Sequence, residues 1–210
     1  MEKMNSKNIE IINHEDARLL LFKIENNIDE LFQMLEFINV IEYNKLVSDK
    51  RKREYLAVRI ALKNLLGEEK NIVYNADGKP ELSDKSFQIS ISHSVNWIAV
   101  MTHPHRLVGI DIEVPTDKIK KVYKRFLSEI EQIELSNAEN INQLLLAWSA
   151  KETLFKIIGN EAVDFANQLH IFPFELHSVG TFMAEHCVTM KQFQLHYTQN
   201  EEYTLVYCLV

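Results

Sequence analysis

The sequence predicts an α+β fold built from small antiparallel sheets packed on helices. Three observations carry this. Strand-like segments follow one another directly across short turns, as in "FQISISHS", "WIAVMTH" and "RLVGIDIEVP". Helical segments come in blocks, so the order lacks regular βαβ alternation. Finally, a first block of mixed helices and strands gives way to a second block of the same kind.

The elements follow in order. "ARLLLFKIE" (residues 17–25) reads as a strand, and "NIDELFQMLEFI" (27–38) as a helix with Asn27 as its cap. "SDKRKREYLAVRIALKNLLG" starts at Ser48 and stops at Gly67, the signature of a capped helix. The Asp77-Gly78 pair marks a hairpin turn between two extended segments. Residues 87–94 and 97–103 read as strands, and residues 106–115 as a third that Pro115 ends. From Thr116 to Gly159 the pattern is helical, and the last third returns to alternating strand-like segments.

Composition bounds the function. A chain of 210 residues fits one large domain or two small ones fused, and 46% apolar residues suffice for a core of ordinary size. A net charge of −7 argues against a general nucleic-acid binder. Cys187 and Cys208 have no CxxC spacing, which disfavours a disulfide framework or zinc site and fits a reducing compartment. The N-terminus lacks a signal-peptide core, and no run approaches the ~18 apolar residues of a membrane span. A soluble, cytoplasmic protein is the expectation.

"RLVGIDIEVP" poses the first chemical question. Asp111 and Glu113 are two apart on a strand and so share a face. Two carboxylates that close repel each other. A solvated strand face accommodates them; so does a divalent cation such as Mg²⁺, which takes one or two carboxylates plus substrate phosphates. In "WSAKETLFKIIG", Trp148, Glu152 and Lys156 recur at i, i+4 and i+8 on one helix face. The pair Glu152–Lys156 is either an ordinary surface pair worth a few tenths of a kcal/mol or a third metal carboxylate beside a phosphate-binding cation. In "ISHS", His93 sits at a strand end between two hydroxyls, and no G-x-S-x-G elbow accompanies it as a hydrolase would require. Lys79 follows the turn glycine, and Arg59 lies among apolar residues of a helix. Lys118, Lys120, Lys121, Lys124 and Arg125 form a basic stretch in an acidic chain, a docking face for an acidic partner to which Tyr123, Phe126 and Leu127 add apolar contacts.

Taken in order, "GKP", "ISHS", "GIDIE", "KRFLSEIE" and "WSAKETLFK" resemble the 4′-phosphopantetheinyl transferase superfamily. Gly109-Ile110-Asp111 and Trp148 to Lys156 match its signature, G-[IV]-D followed by [FW]-[SCT]-x-K-E-x-x-x-K. The upstream motifs and the length resemble its larger, surfactin-synthetase-activator type. One departure is Leu127 in Arg125-Phe126-Leu127-Ser128, where the family reads "RFFS".

The resemblance implies two pseudo-symmetric α/β halves, each a small antiparallel sheet on a helix, with the active site in the cleft between them. The N-terminal half, 1–106, would contact the nucleotide and phosphates of coenzyme A. The C-terminal half, 107–210, would carry the metal-binding and catalytic motifs and the docking face. The implied reaction is transfer of phosphopantetheine from coenzyme A to a serine of an apo acyl or peptidyl carrier protein, releasing 3′,5′-ADP. The carrier would belong to fatty-acid, polyketide or nonribosomal peptide synthesis. Asp111, Glu113 and Glu152 are then the ligands of Mg²⁺ (or Mn²⁺), and Lys156 the cation near the scissile phosphate. Lys79 and His93, with Ser92 beside them, bind phosphates, and Arg59 or Arg53 contacts the nucleotide. Glu152 or Glu131, directly or through water, is the base. An acidic carrier would dock near residues 118–127 on a monomer, with neither nucleic acid nor membrane involved. Two alternatives use the same residues: a Mg²⁺-dependent nucleotide pyrophosphate hydrolase, and a non-catalytic carrier-binding module.

Overall fold

The computed structural model describes residues 8–135, 140–159 and 163–210. The fold is α+β, with antiparallel sheets packed on helices. The chain divides between Arg106 and Leu107 into two compact units, each with its own apolar core.

In the first unit, strands β1 (Ile9–His14) and β2 (Ala17–Lys23) form a hairpin. Short helices α1 (Ile28–Gln33) and α2 (Val40–Asn44) follow, then the long helix α3 (Asp49–Leu66). A small hairpin, β3 (Ile72–Tyr74) and β4 (Pro80–Leu82), precedes β5 (Gln88–Ser94) and β6 (Trp97–His103). The four longer strands make an antiparallel sheet in the order β1-β2-β6-β5. Helix α3 has the predicted ends: the Ser48 side chain accepts from the Arg51 amide, and Gly67 takes φ 80°. Its apolar face, including Leu56, Ile60 and Leu65, packs with Leu20, Phe22, Ile89 and Val100 from the sheet. Burying each such side chain contributes about 1.5–3 kcal/mol.

Two expectations in this unit change. Strand β1 was not anticipated; its Glu10 and Asn13 dilute the apolar alternation of an edge strand. The helix expected over residues 27–38 stops at Gln33. Beyond it, the amides of Glu36 and Phe37 donate to the Glu69 carboxylate at 2.7 and 2.8 Å, so a distant side chain satisfies backbone groups that a longer helix would use.

The second unit opens with β7 (Val108–Glu113), the strand of the two carboxylates. Helix α4 (Ile119–Val122) and a 3₁₀ turn (Tyr123–Arg125) lead to α5 (Glu129–Glu134) and the long helix α6 (Ile141–Ile158). Helix α7 (Phe165–Gln168) and strands β8 (Leu169–Ile171), β9 (Val179–His186), β10 (Lys191–Gln199) and β11 (Thr204–Leu209) complete it. The sheet order is β7-β11-β10-β9-β8, antiparallel throughout. The helical run expected from Thr116 is thus broken into pieces. Ser128 restarts the chain: its hydroxyl accepts from the Glu131 amide while the Glu131 carboxylate accepts from the Ser128 amide.

Helix α6 lies close on β7 because Gly109 permits it. A Cβ at Gly109 would stand 2.4 Å from the Thr153 carbonyl oxygen and 2.8 Å from a side-chain carbon of Ile157. The invariable consequence of adding one methyl group there is that helix or strand must move. This glycine, the first residue of the "GID" motif, therefore sets how near the strand carboxylates come to the helix.

Candidate active site

Strand alternation puts Gly109, Asp111 and Glu113 on the α6 side of β7 and Ile110 and Ile112 on the other. Helical spacing puts Trp148, Glu152 and Lys156 on one stripe of α6. The two sets meet. Lys156 Nζ donates to Asp111 Oδ1 at 2.9 Å and to the Ile110 carbonyl at 2.8 Å. One turn plus one turn back along the helix, Trp148 Nε1 donates to Glu113 Oε1 at 3.0 Å. Glu152 lies between these two contacts in sequence and is partly buried. Burial, then the neighbouring Asp111 and Glu113 charges, push its carboxyl up to about 7, with Lys156 opposing. Asp111 is buried, with only 4% of its surface exposed, so its carboxylate is not simply a solvated strand residue.

Among the described residues, no group of three or more His, Cys, Asp or Glu side chains is gathered closely enough to hold a metal ion as it stands. The donor set nevertheless fits a hard divalent cation. Three carboxylates within electrostatic reach of one another supply oxygen ligands, and the Asp111 and Glu113 charges, after burial, raise the Glu152 carboxyl, a repulsion that such a cation relieves. Mg²⁺ keeps several waters and uses few protein ligands, so a complete protein cage is not required.

The expectation for Glu131 is corrected. Its carboxylate is fully buried. Oε2 accepts from the Ser128 amide at 2.8 Å and from Lys151 Nζ at 2.7 Å, while Oε1 accepts from the Ile171 amide at 2.9 Å. A group so enclosed holds backbone and cation in place and has no opening toward a substrate hydroxyl. Its ion-pair partner, Lys151, was missed. The signal was present: Lys151 is in helical register with Leu144, Ala147 and Leu154, all buried. A lysine on the apolar face of a helix must have an internal partner.

The basic stretch is exposed at Lys118, Lys120, Lys121, Lys124 and Arg125. Phe126 and Leu127 are each 2% exposed and belong to the core, which corrects their expected part in docking. The exposed apolar residues nearby are instead Ile130 and Ile133, three apart on α5.

In the first unit, His93 Nδ1 lies 3.7 Å from Glu54 Oε1, and its Nε2 lies 3.3 Å from Arg51 Nη1. Ser92 is buried and, by strand alternation, projects from the face of β5 opposite to His93, so the two do not present one ligand surface. Lys79 is half-buried beyond the Gly78 turn, where burial draws its pKa down. Arg53 is half-buried on α3. Arg59 is internal: its guanidinium stacks 3.2 Å from the Tyr55 ring centre and pairs with Glu42 at 3.5 Å. It also lines a cavity of about 200 Å³ with Phe37, Asn39, Glu69, Lys70 and Asn71.

Residues 107–208 match the 4′-phosphopantetheinyl transferase superfamily, a span that holds every residue of the Asp111–Glu152–Lys156 cluster. The 4′-phosphopantetheinyl transferase AcpT of Salmonella typhimurium is 33% identical to the chain over 119 residues, covering 53% of this chain and 62% of that protein. The protein of the same name in Salmonella typhi is 32% identical over the same shares. The chain thus spans about three-fifths of the length of these curated relatives. Within the matched span, the strand carboxylates meet the α6 stripe. No helix among the described residues is long and apolar enough to cross a membrane.

Proposed function

We propose that the protein transfers the 4′-phosphopantetheine arm of coenzyme A to a serine of an apo carrier protein, releasing 3′,5′-ADP. The observation that supports this most is the convergence of Asp111, Glu113, Glu152 and Lys156 inside the matched span. Asp111, Glu113 and Glu152 would hold Mg²⁺ or Mn²⁺. When bound, the metal neutralises negative charge on the coenzyme A pyrophosphate.

The chain's own groups then have distinct tasks. Phosphoryl transfer needs positioning and charge stabilisation rather than a protein nucleophile. Lys156 is held by Asp111 and the Ile110 carbonyl, so its charge sits at a fixed point where it would stabilise the departing 3′,5′-ADP. Glu152, directly or through water, would accept the proton of the attacking serine. The full burial of Glu131 supports Glu152 over it for that task. Lys79 and His93 of the first unit would bind phosphates. Arg59 or Arg53 would contact the nucleotide, Arg59 being engaged by Glu42 and Tyr55.

The partner would be an acidic acyl or peptidyl carrier protein. The exposed cations from Lys118 to Arg125 would attract it, and Ile130 and Ile133 would supply apolar contact. The larger surfactin-synthetase-activator type and a cytoplasmic site of action belong to the same proposal.

Incubation with apo carrier, coenzyme A and Mg²⁺ tests it. A mass gain of one phosphopantetheine on the carrier is the expected result. Cleavage of coenzyme A without carrier modification would replace transfer by pyrophosphate hydrolysis. Carrier binding without turnover would reduce the protein to a binding module.

A further inference from the structure

Lys151 precedes Glu152 by one residue and therefore faces away from it on α6. It is fully buried. Its Nζ lies 2.7 Å from Glu131 Oε2 and from the carbonyl oxygens of Phe126 and Phe165, and 2.8 Å from that of Leu169. An ammonium has three N–H donors, so four oxygens share them. Burial draws the Lys151 pKa down and the Glu131 carboxylate opposes this. Losing the proton would leave fewer donors for four buried acceptors, each costly to strand. One side chain thus ties α6 to the 3₁₀ turn's end, α5, α7 and β8.

The tie leads to the site through aromatic contacts. Phe126, whose carbonyl Lys151 holds, packs edge-on against Trp148 with ring centres 5.1 Å apart. Phe165, whose carbonyl Lys151 also holds, lies 5.8 Å from the same indole. Trp148 in turn directs its N–H onto Glu113 Oε1. We infer that Lys151 is a positioning residue for the strand carboxylate: by fixing Phe126 and Phe165 it fixes the indole, and the indole fixes Glu113. Without the tie, Phe126 and Phe165 lose the contacts that confine Trp148, and Glu113 loses a directed hydrogen bond. Outer partners of this sort commonly alter metal affinity or activity about 10- to 100-fold.

The inference rests on the transferase reading for its consequence in catalysis, and on geometry alone for the positioning. Its test therefore uses two readouts. The first is the ¹⁵N–¹H resonance of the Trp148 indole and its exchange with water, read without substrate. The chain has two tryptophans, so Trp148→Phe assigns the signal. Lys151→Met and Glu131→Gln are expected to shift this resonance and speed its exchange about 10-fold. The second readout is the Mg²⁺ concentration for half-maximal carrier modification. It should rise about 10-fold in both variants and in Trp148→Phe, with the rate at saturating Mg²⁺ within about threefold of the parent. Trp148→Phe keeps a ring against Phe126 while losing the N–H together with part of the indole's bulk, and Glu131→Gln keeps the side-chain volume, so either serves where Lys151→Met does not fold. An unchanged indole signal in a folded Lys151 or Glu131 variant would overturn the inference, as would an unchanged Mg²⁺ requirement in Trp148→Phe. Absence of transfer by the parent protein would overturn the transferase reading, and the indole signal would still decide the positioning.

Discussion

Lys156 Nζ sits 2.9 Å from Asp111 Oδ1, joining helix α6 to the strand that carries the carboxylates. The aspartate is almost entirely enclosed and the lysine only partly so, with side-chain exposures of 6% and 23%. Lys156→Met should therefore leave a buried carboxylate beside Glu152 without its cation, at a cost of about 1–3 kcal/mol. Activity should fall more steeply, about 100-fold or beyond, if the lysine stabilises the departing group. Adding Asp111→Asn should restore the stability and not the activity. Urea unfolding and carrier-modification rates on the two variants separate these effects. Equal stability of Lys156→Met and the double variant would show that the stranded Asp111 charge is not what destabilises the protein.

Gly109→Ala tests the closeness of α6 to β7. The added carbon meets the Thr153 carbonyl at 2.4 Å, a backbone atom that cannot swing aside. Overpacking of this type costs about 1–3 kcal/mol, and the strand or helix must retreat. The expected result is a lowered melting temperature together with loss of carrier modification. A variant with parent-like stability would mean that the two elements separate without resistance.

Most of the strands and both long helices could be read from periodicity and caps, because Ser48, Gly67 and the Asp77-Gly78 turn act locally. The α6 stripe of Trp148, Glu152 and Lys156 was equally legible, since helical geometry alone puts them on one face. What was not legible depended on distant partners. The early end of α1 rests on Glu69, more than thirty residues away in sequence. The burial of Glu131 rests on Lys151 and on the Ile171 amide of β8. Read without its partners, a glutamate following a serine looks as much like a base as like a helix cap. The alternation of Ser92 and His93 was readable from strand geometry, yet a shared motif drew them together.

Replacing Lys121 and Lys124 with Glu should raise the carrier KM about 10-fold at low salt, with kcat at saturating carrier little changed. The two lysines are exposed, so salt should shrink the difference by screening. Ile130→Asp combined with Ile133→Asp should raise the same KM with little dependence on salt, because it removes apolar contact. Steady-state kinetics at two ionic strengths distinguish charge steering from apolar docking. Unchanged KM values in both variants would place the carrier elsewhere on the protein.

The end of the first unit makes stability depend on pH. His103 closes β6 and is buried, at 3% exposure. Its Nδ1 accepts from the amides of His105 and Arg106 at 3.0 and 2.7 Å. Only a nitrogen without a proton can accept both, so protonation there forfeits two hydrogen bonds. Burial first, then the Arg106 charge and His105, lower the His103 pKa, and Asp16 and Glu15 oppose them. With the folded value below the unfolded one, the unfolded chain binds more protons between the two, and stability rises with pH across that interval. The contribution of His103 is therefore complete above the ordinary histidine range and is lost as pH falls through its lowered folded value. His103→Asn, whose Oδ1 accepts at a similar point and does not titrate, should flatten the stability profile as pH falls below the ordinary histidine range. Chemical unfolding of parent and variant across that range is the measurement, and parallel profiles would remove His103 as the origin of the acid sensitivity.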